Sequence, residues 1–178
     1  TDALLASLDA DVVLLNVTGG LRSDLPAGPL TYGSVFRMFP FDNRVVILEM
    51  SGSDLRRIVA AQAHNHRRRM GFAGMQARVA CADGQMIVEI ELDDGRILED
   101  RDTVRVAVND FLATGGDRML TPAMPAGGFT WSEDPRFARD VIADWFRRQD
   151  GTLDAADFVT ANPARWHLPE NLPADCRL

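Results

Sequence analysis

The chain has 178 residues, 46% of them hydrophobic and 25% charged, with a formal net charge of −7. That apolar share fills the core of a single domain over 1–178, and the charge content is that of a folded chain. The acidic balance argues against a nucleic-acid polymer or an anionic membrane surface as the main partner, and because every basic residue is arginine, Schiff-base and lysine-nucleophile chemistry are excluded. No apolar run approaches the roughly 18 residues of a membrane helix, so no membrane span is expected. The first residue is Thr1 rather than Met. A fragment or processed chain is therefore expected, and the lack of a leader carries no information about export.

Leu4, Leu5 and Leu8 read as the last turns of a helix. "DVVLL" (11–15) is a short apolar run and so a buried strand. "NVTGGLRSDLPAGP" (16–29) reads as loop. Thr31 is a good N-cap for a short helix over 31–38, followed by a turn "FPFDN" (39–43) and a strand "RVVILEM" (44–50). Ser51 with Asp54 three residues on predicts a capping box, with Leu55, Ile58, Val59 and Gln62 on the buried face and Arg56 and Arg57 outward. The segments 75–81, 86–92 and 103–109 read as strands separated by Asp-Gly turns. A long loop over 121–134 precedes a helix capped by Asp134 with Pro135 at its first position. The tail from Asn162 reads as loop. Helices and strands do not alternate regularly, which predicts an α+β fold of mixed sheets flanked by helices.

Cys81 and Cys176 cannot form a metal site alone. They pair in an oxidising compartment or are two buried thiols, and unpaired thiols are the expectation. His64 and His66 in "AHNHRRRMG" lie on different faces of a helix, which predicts a polar helix end rather than a metal site. No catalytic residue and no metal ligand is expected in this chain.

Three loops carry residues unusual for connectors. "TGGLR" (18–22) places Arg22 behind two glycines, where a guanidinium can hold an anion. "FPFDN" places Phe41 after a proline. "DFLATGGD" (110–117) places Phe111 and Asp117 around Gly115 and Gly116, whose backbones tolerate positive φ or close approach. Together they suit a nucleoside: aromatic faces stack on a base, a carboxylate accepts from ribose hydroxyls, and an arginine holds a phosphate.

The ordered set Gly-Gly-Leu-Arg (19–22), Pro-Phe-Asp-Asn (40–43), Ser-Gly-x-x-Leu (51–55) and Asn-x-Phe-Leu-Ala-x-Gly-Gly-Asp (109–117) closely resembles the C-terminal domain of the 5′-nucleotidase family over most of residues 10 to 120. The resemblance implies a preceding metallophosphoesterase domain with two divalent metals, and a substrate-binding role for this one. It puts Phe41 and Phe111 on either side of a base, Asp117 on the ribose, Arg22 at the phosphate side, and Gly115 and Gly116 in the loop that presents them. It implies that the chain alone is inactive, that it needs no cofactor of its own, and that its parent is periplasmic or at the cell surface. Three departures stand out. The family often has Asn two residues before the Gly-Gly pair; that position is Val17, with Asn16 one residue early and out of register for a contact. A further substrate arginine of the family falls upstream of Thr1. Arg118 stands where many members have Gly. Nucleotide-sugar hydrolases, 2′,3′-cyclic-nucleotide phosphodiesterases and thiosulfohydrolases share this architecture, and a non-catalytic nucleoside-binding module is the alternative outside enzymes.

Overall fold

The computed structural model describes residues 1–65, 69–156 and 164–178, with 133–135 described by backbone alone. In chain order the helices are α1 (Asp2–Leu5), α2 (Val17–Gly20), α3 (Tyr32–Met38), α4 (Gly52–Ala63), α5 (Asp110–Ala113) and α6 (Ala138–Arg147). The strands are β1 (Val12–Leu15), β2 (Arg44–Ser51), β3 (Gly71–Ala73), β4 (Met75–Ala82), β5 (Gln85–Leu92), β6 (Thr103–Asn109), β7 (Trp131–Phe137) and β8 (Trp166–His167). The fold is α+β, as the sequence pattern predicts.

Five strands form one sheet in the order β3-β1-β6-β2-β7, and three form a second in the order β5-β4-β8. Within the first, β1 and β6 run parallel and the other neighbours antiparallel. Both faces of this sheet are covered, so β1 is an unbroken apolar run, buried at every residue. Val12, Leu14, Val46, Leu48, Val104 and Val106 face a core shared with α4 and the second sheet. Val13, Leu15, Val45 and Ala107 face another, closed by Leu4 of α1, Val35 of α3 and Val141 of α6. The second sheet has one solvent face, and β4 and β5 alternate accordingly. Their hairpin turns at Asp83 and Gly84, with φ of 53° and 77°, the pair of positive values that a type I′ turn requires.

The caps behave as expected. Thr31 Oγ1 accepts from the Ser34 amide, and Ser51 and Asp54 close a reciprocal capping box. Several expectations fail for identifiable reasons. The segment 16–29 is not all loop, because its first residues wind into α2. Asp134 and Pro135 do not start a helix. Both lie in β7, the edge strand next to β2, where a proline breaks no further ladder bond, and the pairing with β2 shifts register between Arg44 and Val45. The helix begins after Phe137 instead. Arg56 does not point outward; it lies along the second sheet and donates to the Val88 and Leu98 carbonyls and to Asp100.

Cys81 and Cys176 are joined in a disulfide, not free. Their separation of 95 residues hides the pairing in the sequence. The tail pairs in parallel with β4 through Trp166 and His167, and this lays Cys176 beside the end of that strand. His64 is the C-cap residue of α4, and its Nε2 meets the Cys176 carbonyl at 3.0 Å; His66 lies outside the described residues.

Candidate functional site

The topology brings the three unusual loops to one place. Because β1 and β6 are parallel neighbours, the loops that leave their C-terminal ends emerge on the same edge of the sheet. Because β2 runs antiparallel beside β6, the loop that enters β2 arrives at that edge too. Between them opens a cleft of about 440 Å³ lined by Asn16, Thr18, Gly19, Arg22, Phe39, Phe41, Asn43, Phe111, Asp117 and Met119. Arg22, Phe41, Phe111 and Asp117 are thus assembled from segments far apart in the chain. Gly115 and Gly116 do not line the cleft; they shape the loop behind it.

Each side chain is held by its neighbours. Asn109 caps α5 by accepting from the Leu112 amide at 2.8 Å, which aims the following helical turn. Phe111, on that turn, is 42% exposed, an aromatic face turned to solvent. Gly115 takes φ 97°, a left-handed value that costs glycine nothing. At Gly116 a Cβ would lie 2.5 Å from both the Phe111 ring and its carbonyl oxygen. Only glycine lets the backbone pass against that ring. Asp117 and Arg118 both have φ near 50°, a strained conformation for residues with side chains and one that clusters at functional sites. Arg118 therefore occupies a position whose backbone suits glycine.

On the opposite strand ends, Phe39 is fully buried and packs edge-on against Phe41, ring centres 5.7 Å apart. The Arg22 guanidinium lies 5.8 Å from the Phe41 ring centre and donates to the Gly19 carbonyl at 3.3 Å. Arg22 is fixed at its own amide as well, which donates to the Met38 carbonyl.

The sequence gives no role to Asn43 or Asn109 and sets Asn16 aside. Asn16 is in the cleft, contrary to expectation. As the N-cap residue of α2, Asn16 turns its amide to Asp117 Oδ2 at 2.7 Å. Asn109 in turn donates to Asn16 Oδ1 at 3.4 Å. Asp117 is thereby oriented by a relay of amides, with its other oxygen left to accept. Asn43 donates to Asp110 Oδ1 at 3.0 Å, the oxygen that also accepts from the Phe111 amide at 2.8 Å. This ties the Phe41 loop to the Phe111 turn. An asparagine in a turn gives no sequence signal that separates such a role from ordinary turn chemistry.

Below the Phe41 loop lies Arg139, 5% exposed. Burial disfavours its charge, but hydrogen bonds to Asp42 and Tyr32 outweigh it and raise its pKa. Among the described residues no group of three or more His, Cys, Asp or Glu is placed to hold a metal ion. The cleft presents two aromatic rings, a carboxylate and a guanidinium, side chains that can stack, accept from hydroxyls and hold an anion.

The family model for the 5′-nucleotidase C-terminal domain matches residues 1–124. The chain belongs to the 5′-nucleotidase C-terminal domain family. Within that family it is 31% identical over 99 residues to protein UshA of Yersinia enterocolitica, covering 56% of this chain and 18% of that protein. It is 32% identical over 122 residues to endonuclease YhcR of Bacillus subtilis, covering 68% of this chain and 10% of that one. The crystal structure of a 5′-nucleotidase precursor from Thermus thermophilus superposes with a TM-score of 0.70 at 24% identity, over 97% of this chain and 34% of that one. The family fold thus extends through α6 and the tail, beyond the segment that the family model matches. The chain spans a fifth or less of the two curated relatives.

Proposed function

We propose that this domain binds a nucleoside or nucleotide in the cleft and positions its phosphate for hydrolysis by a 5′-nucleotidase-like phosphohydrolase. The observation that carries the reading is the convergence of Phe41, Phe111, Asp117 and Arg22 on one cleft. The two rings stack on the base, a contact worth about 1–3 kcal/mol per base. Asp117 accepts from the vicinal ribose hydroxyls while Asn16 holds its other oxygen. Arg22 takes the phosphate side. Two divalent metals on a preceding metallophosphoesterase domain would supply nucleophile activation and charge neutralisation; this chain supplies binding and orientation. The disulfide fits an oxidising compartment, so the periplasm or the cell surface is the proposed location.

The ribose contact is testable by comparing adenosine with 2′,3′-dideoxyadenosine. Adenosine should bind the unmutated chain roughly 10- to 100-fold more tightly, the worth of hydrogen bonds to a carboxylate. In Asp117→Ala the two should bind alike. Equal binding of both nucleosides to the unmutated chain would remove Asp117 from the ribose site.

A further inference from the structure

Arg139 stands two residues into α6, in a stretch that reads as an ordinary helix start, beyond the segment matched by the family model. Its side chain is only 6% exposed. Its Nη1 donates to the Phe41 carbonyl at 3.1 Å, its Nη2 to Asp42 Oδ1 at 2.8 Å and its Nε to the Tyr32 hydroxyl at 3.0 Å. The guanidinium also lies 4.8 Å from the Phe36 ring centre. Among the described residues, 40–42 make no backbone–backbone hydrogen bond, while Asn43 accepts from the Ala138 amide at the start of the same helix. Arg139 thus ties residues 41 and 42 to α6, beside the Asn43 backbone bond and the packing of Phe41 against the core.

We propose that Arg139 is a positioning residue for the nucleobase: by gripping the Phe41 carbonyl and Asp42 it fixes the angle at which the Phe41 ring meets the base. The proposal rests on the nucleoside-binding reading above. Packing alone does not account for an arginine here. A buried guanidinium loses hydration, and an apolar side chain of similar size would seal the same gap at less cost. Asp42 is 74% exposed, so the ion pair lies half in solvent and adds little stability. What the planar fork adds is direction: three donors on one rigid group hold a carbonyl, a carboxylate and a hydroxyl at once. A lysine has its three donors on one nitrogen and lacks this planar spread.

The test uses the 178-residue chain with AMP and ribose 5-phosphate as ligands, followed by NMR titration. Arg139→Met should weaken AMP about fivefold, the lower end of what one base stack is worth, and leave ribose 5-phosphate unchanged. In a Phe41→Ala background the same substitution should cost less than about twofold, because residues that act through one another are not additive. Asp42→Ala, which opens no core, should lower AMP affinity by about two- to threefold; this variant carries the test if Arg139→Met does not fold. Equal weakening of both ligands, full additivity with Phe41→Ala, or unchanged AMP binding in the folded variants would overturn the proposal. If the unmutated chain binds no AMP, the nucleoside reading falls by itself. The Phe41 ring resonances then decide the positioning role: broadening or shifts in Arg139→Met uphold it, and an unchanged spectrum overturns it.

Discussion

Phe111 and Gly116 form a pair that only glycine permits, because a Cβ at residue 116 would lie 2.5 Å from the ring. Gly116→Ala should push the ring from the cleft and weaken AMP by about tenfold, the lower part of the range for one lost base stack. Overpacking of this kind should also lower stability by about 1–3 kcal/mol. An alanine variant with unchanged AMP affinity would show that the Phe111 position does not matter to the site. The glycine pair is legible in the sequence because consecutive glycines after a strand announce special backbone geometry. Arg22, Phe41, Phe111 and Asp117 are legible for a related reason: they are out of character in connectors. Asn16 and Arg139 are not. The role of Asn16 depends on how α2 winds, and Arg139 is indistinguishable from any other helical arginine until its burial is known.

At the scale of elements, the strands with strong apolar runs and the helices with side-chain caps follow from sequence directly. The four-residue helices α2 and α5 read as loop, and the strands that do not follow are β3, β7 and β8. The first and last have three and two residues, too short to show periodicity. The other carries Pro135, which local rules assign to a helix start and which an edge strand tolerates. Gly71 shows why β3 lies where it does: a Cβ there would sit 2.6 Å from Val17, so the strand approaches α2 at glycine distance. The disulfide belongs to this scale because it fastens the tail to β4. Cys176→Ser should lower unfolding stability by about 2–5 kcal/mol, as for native bridges in small secreted domains. Thermal melts with and without reductant check this: the unmutated chain should lose most of that difference on reduction, and coincident melts would show that the tail is held by packing alone.

The whole molecule is a sheet with a core on each face, and its central strands β1, β6 and β2 set the position of every cleft loop. That arrangement separates two tasks. The cores hold the strand ends still, and the loops carry the cleft's side chains. The central claim is that this edge binds a nucleoside without help from another domain, and calorimetric titration with AMP of the unmutated chain beside Phe111→Ala tests it most directly. The account predicts saturable binding on the order of millimolar, about −4 kcal/mol, weakened at least about fivefold when one base stack is removed. No binding of AMP up to its solubility limit, or equal affinity in Phe111→Ala, would contradict it.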